Sequence, residues 1–132
     1  KLRRLDGGPG ELIFYDRADA AGPRTSRYVV HPTDDADGLH RALAGALGER
    51  TVVRKQRHLF LVGATRIHLD RVEGLGDFLE LEVVLRPDED AAEGERTARR
   101  LMAELGVAPA DLVAQAYVDL LEAGSGASDS SV

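Results

Sequence analysis

The chain contains no cysteine, so a disulfide framework and a thiolate metal site are both excluded. That absence suits a reducing cytoplasm, which is the expected location. No apolar run approaches the roughly 20 residues needed to span a bilayer, so no membrane partner is expected. Aromatic residues are scarce, at 5% of 132, and the net charge is -6. A nucleic-acid binder more often pairs a basic domain with aromatics among its cations, and that class is set aside. An initiator Met is also lacking, while Lys1-Leu2-Arg3 already has strand character. An upstream segment is therefore expected, and nothing follows about a signal peptide.

What is present is unevenly distributed. Residues 1–70 carry 12 Lys/Arg against 9 Asp/Glu, a balance of +3, whereas residues 71–132 carry 5 against 14, a balance of -9. The cations of the first half look placed for something local and anionic, with a solvated charged surface as the alternative. Short β-rich segments at 1–5, 11–16, 26–31, 51–57, 58–62, 65–70 and 78–85 are separated by turn residues, among them Gly63-Ala64 and Gly74-Leu75-Gly76. Leu39, Leu43 and Leu47 recur every four residues behind Pro32-Thr33-Asp34-Asp35, which predicts a helix closed by Gly48. A longer helix is expected over 89–105, with Ala92, Ala98, Leu101, Met102 and Leu105 on one side. A shorter one is expected from Pro109 to about Glu122, and residues 123–132 have the composition of a disordered tail. The chain thus predicts one α+β domain over 1–122, with strands and one helix in 1–85 and C-terminal helices in 86–122.

Strand parity is the most informative pattern, because residues at i, i+2 and i+4 share a face. Lys1 and Arg3 share one face of the first strand, and Lys55 and Arg57 share another. Arg17 ends the second strand in register with Ile13 and Tyr15. In Thr65–Asp70, Arg66, His68 and Asp70 lie together, opposite Ile67 and Leu69. In Phe78–Val83, Glu80 and Glu82 lie together, opposite Leu79, Leu81 and Val83. Both lysines of the chain fall in these pairs. A solvent-facing strand is the ordinary explanation for each alone, but faces segregated by sign repel internally. A curled sheet with these faces inward would line a lumen with cations along most of its wall and carboxylates along the rest. A triphosphate would relieve the first and a divalent metal the second. Arg suits phosphate because its planar fork binds oxygens in pairs, and Lys adds a point charge.

The segments KLRR, ELIFYDR, VVRKQR, TRIHLDRVEGLGDFLELEV and LVAQAYVDLL resemble successive blocks of the CYTH domain, the triphosphate tunnel family that includes class IV adenylyl cyclases, thiamine triphosphatases and inorganic triphosphatases. The resemblance spans about residues 1–122 and looks nearest to the bacterial class IV cyclase branch. It implies an antiparallel β-barrel with flanking helices and a metal-dependent phosphoryl-transfer activity on a small-molecule triphosphate or nucleotide. It implies phosphate binding by Lys1, Arg3, Arg17, Lys55, Arg57 and Arg66, and coordination of Mg2+ or Mn2+ by Asp70, Glu80 and Glu82. It implies a hydrogen-bonding role for His68, on the same face, with no catalytic base assigned. The family opens with a glutamate-bearing strand and a helix that these residues do not contain, since the chain starts where the third family block is expected. A non-catalytic polyphosphate- or nucleotide-binding module is the alternative. The open edge left by the absent strand and the two-helix C-terminal arm permit a homodimer. Hydrolase and cyclase chemistry, and the organic group on the triphosphate, stay open.

Overall fold

The computed structural model describes residues 1–5, 8–17, 22, 23 and 25–126. The chain forms two compact units. The first is built from Lys1–Ala18 and Thr25–Arg50, the second chiefly from Thr51–Val132. Each holds a three-stranded antiparallel sheet.

In the first unit, β1 (Leu2–Arg3), β2 (Gly10–Arg17) and β3 (Ser26–Thr33) pair in sequence order, followed by α1 (Ala36–Leu47). Asp35 caps α1 by accepting from the Gly38 amide at 2.7 Å, which satisfies one of the orphan donors of the first turn. Gly10 starts β2 where α1 begins. A Cβ there would lie 2.5 Å from the Cβ of Ala36, so the strand can begin against the helix only with glycine. The first strand is shorter than expected, because Leu5 accepts instead from the Gly8 amide in a local turn. The Gly- and Pro-containing stretches 6–10 and 21–23, whose composition also predicts turns, fall partly outside the described residues.

In the second unit, β4 (Lys55–Val62), β5 (Thr65–Val72) and β6 (Gly76–Val83) form a meander. The separate strands expected at 51–57 and 58–62 are one strand beginning at Lys55. Before it, only the Arg54 carbonyl still meets the β5 side, accepting from the Glu73 amide, because the chain has by then entered the β5–β6 turn. The central strand carries most of the core: Thr65, Ile67, His68, Asp70 and Val72 are all buried. Gly76, at φ +100°, closes the β5–β6 turn and fixes the register Val72↔Gly76. A slip by one residue would turn every β6 side chain to the other face.

The α2 helix (Ala91–Glu104) follows, capped by Asp90, and buries Gly94, Ala98 and Leu101 at helical spacing. Ala92 and Leu105, expected on that stripe, are exposed. The single helix expected over 109–122 is two elements, a 3-10 turn at Pro109–Asp111 and α3 (Tyr117–Gly126). The division is local chemistry. Asp111 closes the first turn by accepting from the Ala108 amide, and Asp119 starts the second helix by accepting from the Ala116 amide. Helix α3 extends to Gly126, four residues into the segment read as a tail; the remainder of that segment lies outside the described residues.

The α+β class is as expected, but the barrel is not closed. Closure requires each strand to be hydrogen-bonded along both edges. Among the described residues β1, β3, β4 and β6 each pair along one edge only, leaving two separate sheets. No described helix is long and apolar enough to cross a membrane.

Candidate functional site

The ladders of the second unit put three strands' worth of ionisable groups on one face. Directly opposed residues share a face, and the opposed sets are Arg57, Asp70 and Phe78; Leu59, His68 and Glu80; and Leu61, Arg66 and Glu82. Lys55 stands two positions before Arg57 on the same side. The predicted parity of Lys55, Arg57, Arg66, His68, Asp70, Glu80 and Glu82 is therefore realised in one sheet.

Asp70 is the hub of this face. Its side chain has 0% exposure, and both oxygens are occupied. Oδ1 accepts from Arg57 Nε at 2.6 Å, and Oδ2 from Lys55 Nζ at 2.6 Å, Arg57 Nη2 at 2.5 Å and the Tyr117 hydroxyl at 3.0 Å. Burial alone would favour the neutral acid. The hydrogen bonds from Arg57 and Lys55, with their charges, outweigh it and hold the carboxyl down at about 2. Burial likewise works against the Arg57 guanidinium, yet bonds to Asp70 and the charges of Glu80 and Asp70 raise its pKa.

The glutamates lie further along. Glu80 Oε2 accepts from Arg57 Nη2 at 2.6 Å and lies 3.4 Å from His68 Nδ1. Glu82 Oε2 lies 3.4 Å from Arg66 Nη1 and 4.0 Å from His68 Nε2. Burial opposes the Glu80 charge, but Lys55 and Arg57 prevail over it and over the repulsion of Asp70, so its pKa is lowered. The imidazole of His68 sits between the two carboxylates, where a hydrogen-bonding role was expected.

In the first unit, Lys1, Arg3 and Arg17 fall on one face of the β1–β2–β3 sheet by register. Lys1 Nζ lies 5.3 Å from the centroid of the Tyr15 ring, and the Arg3 guanidinium is bonded to Glu11. Arg17 ends β2 opposite Ser26.

Two residues escaped the sequence reading. Glu11 has the parity of Ile13, Tyr15 and Arg17, which was signal enough to place it beside Arg3. Tyr117 was counted among the apolar positions of a helix, and nothing in periodicity reveals that its hydroxyl reaches a buried carboxylate. The expected repulsion within the face is largely offset. On this face β4 carries cations, β6 carboxylates and β5 one of each, and strand order sets Arg57 across from Asp70 and Arg66 across from Glu82, so the face is largely self-neutralising.

Among the described residues, no three His, Asp or Glu side chains gather into a metal cage. Glu80 and Glu82, two positions apart on one strand, make a two-carboxylate set of the kind that holds Mg2+ together with substrate phosphates and water. The Asp70 oxygens are already filled by four donors.

Comparison with known proteins gives the family of the chain. The CYTH domain family model matches residues 1–117. Adenylate cyclase CyaB of Aeromonas hydrophila is 30% identical over 103 residues, which cover 76% of this chain and 53% of the cyclase. The chain thus spans about half the length of that curated relative. Among solved structures, the PH1012 protein of Pyrococcus horikoshii superposes with a TM-score of 0.80 at 21% identity, covering 90% of this chain and 71% of that one. The PH1819 protein of the same organism gives 0.67 at 25% identity, covering 93% and 71%. With the family model spanning nearly the whole described chain and the fold shared, the protein belongs to the CYTH domain family.

Proposed function

We propose that this chain holds a small-molecule triphosphate for metal-dependent phosphoryl transfer, of the class IV adenylyl cyclase or triphosphatase type. One observation carries the reading. A single face brings Lys55, Arg57 and Arg66 together with Glu80 and Glu82, so phosphate-binding cations and metal-binding carboxylates stand within one sheet. Phosphoryl transfer asks for positioning and charge neutralisation rather than covalent participation by the protein.

Arg57 and Lys55 are already held in place by Asp70, and Arg66 stands free of that hub beside Glu82. These three would bind phosphate oxygens on the face of the second unit. Glu80 and Glu82 would hold Mg2+ or Mn2+, which when bound neutralises charge on the reacting phosphate. His68, 3.4 Å from Glu80, would help to orient that carboxylate. With water as nucleophile at the terminal phosphorus, the bridging P–O bond breaks and orthophosphate leaves. With the ribose 3′-hydroxyl at the α-phosphorus, diphosphate leaves and the cyclic nucleotide remains.

The second reading is a binding module without turnover. It is favoured by the engagement of both glutamates, Glu80 by Arg57 and Glu82 by Arg66. A turnover assay decides between them. The whole protein is given inorganic triphosphate, thiamine triphosphate or ATP with Mg2+ or Mn2+, and phosphate, diphosphate and cyclic AMP are read separately. Metal-dependent product that disappears in the Glu80→Gln/Glu82→Gln variant supports the enzyme. Tight triphosphate binding without product, weakened in Lys55→Ala, supports the module; absence of both signals removes the triphosphate reading.

A further inference from the structure

The cations of the site do not stand on their own strand alone. Tyr117 opens α3, 47 residues beyond Asp70, and its side chain meets the charged face through both hydroxyl and ring. The hydroxyl donates to Asp70 Oδ2 at 3.0 Å and also lies against Glu80. The ring lies 4.9 Å from Lys55 Nζ, within cation–π range. The ring also meets Phe78 edge to face, at 4.9 Å between centroids and 61° between planes. Leu121, one turn further along α3, closes on the β5–β6 turn, where a Cβ at Gly74 would lie 3.4 Å from Leu121 Cδ2.

These contacts have a consequence for Asp70. An ionised carboxylate offers about four lone-pair sites, and in a buried position each unfilled site costs free energy. Arg57 fills two and Lys55 a third; the fourth donor is the Tyr117 hydroxyl. The phenol also stays in its donating form. Burial and the neighbouring charges of Glu80 and Asp70 push its pKa well above the ordinary tyrosine value. The same ring constrains Lys55 from the side, so both cations nearest Asp70 depend on a residue of α3.

We propose that Tyr117 is a positioning residue for the phosphate-binding cations, and that Asp70 serves to fix Lys55 and Arg57 rather than to bind metal. Docking of α3 by its first residue completes the carboxylate's coordination by donors and presents Lys55 and Arg57 in one geometry. The part of this inference that concerns phosphate rests on the function proposed above; the part that concerns the cations does not.

The test uses Tyr117→Phe in the whole protein, which keeps the ring and its contacts with Phe78 and Lys55 and removes only the hydroxyl. Two readouts separate the two parts. The first is solvent exchange of the Arg57 Nε–H and Lys55 ammonium signals in 15N spectra without ligand, with backbone amide shifts of β4–β6 confirming the fold. The second is calorimetric affinity for inorganic triphosphate with Mg2+. Loss of one hydrogen bond to a charged group predicts exchange faster by about tenfold and affinity weaker by about tenfold. Arg66→Ala, which does not touch Asp70, should weaken triphosphate binding while leaving the Arg57 signal unchanged. Unchanged exchange in a folded Tyr117→Phe protein overturns the positioning role. Faster exchange in a protein that binds no triphosphate even as wild type upholds the positioning role and removes the phosphate reading instead. Asp70→Asn separates the remaining point with Mn2+ as the probe: the electron paramagnetic resonance spectrum of the bound ion should match that of wild type, and a changed spectrum would make Asp70 a metal ligand.

Discussion

Arg57 meets Asp70 from directly across the β4–β5 ladder and binds it with two nitrogens, Nε to Oδ1 at 2.6 Å and Nη2 to Oδ2 at 2.5 Å. Fork-to-fork geometry of this kind is stronger and more directional than a single contact between charges. Because the carboxylate is fully buried, the pair is also costly to break from one side. Removing one partner leaves an uncompensated charge, typically at a cost of several kcal/mol.

Asp70→Ala should therefore lower unfolding stability by roughly 3–5 kcal/mol, measured by urea denaturation. Lys55 would lose its bonded carboxylate, and Arg57 would keep only Glu80. A loss below about 1 kcal/mol, the range of exposed pairs, would mean that the face relaxes around the gap.

Arg57→Lys keeps the charge and loses the fork. It should cost about 1–2 kcal/mol in stability, as one charge-assisted hydrogen bond is removed and the arm shortens. The same change should weaken triphosphate affinity by about tenfold, read by calorimetry.

Acid should destabilise the second unit through Asp70. Its carboxyl is held at about 2 in the folded chain against an ordinary value of 3.8. A depressed pKa stabilises the fold above the unfolded value, and that contribution is lost as pH falls through the folded one. The window is thus between about pH 4 and pH 2, and the amount is about 2 kcal/mol. Urea midpoints of wild type and Asp70→Asn should converge across that window; curves that stay parallel would contradict the assignment.

Gly76→Ala tests the register. The residue sits at φ +100°, where a side chain costs on the order of 1–2 kcal/mol. Thermal melting should report that loss. If β6 escapes the strain by slipping one residue, Glu80 and Glu82 leave the charged face and metal-dependent turnover should vanish with them.

The charged face was legible because parity is a property of the chain itself. Arg66, His68 and Asp70 share a side of β5, and Glu80 and Glu82 a side of β6, whatever the strands pair with. What parity could not give was the neighbour relation. Only the order β4-β5-β6 sets Arg57 opposite Asp70 and Glu82 opposite Arg66, turning apparent like-charge crowding into compensation. Helix boundaries followed capping chemistry: Asp35 was readable, whereas Asp90 starts its helix two residues after the expected position, and Asp119 restarting a helix after Pro109–Asp111 was masked by continuous apolar residues. Tyr117 was hidden for the same reason. A tyrosine on an apolar stripe looks like core until a partner for its hydroxyl is located. The closed barrel was an expectation drawn from family resemblance, and no pattern in the strands themselves reports which edges meet.

The meander carries a further consequence for how the protein is made. Residues 55–83 pair through short connections, so their contacts close small loops and can form quickly. Tyr117 arrives from 47 residues beyond Asp70. During synthesis from the N-terminus, the cations and carboxylates of the face therefore precede the residue that meets them. Helix α3 then docks on a meander whose short-range pairing does not depend on it.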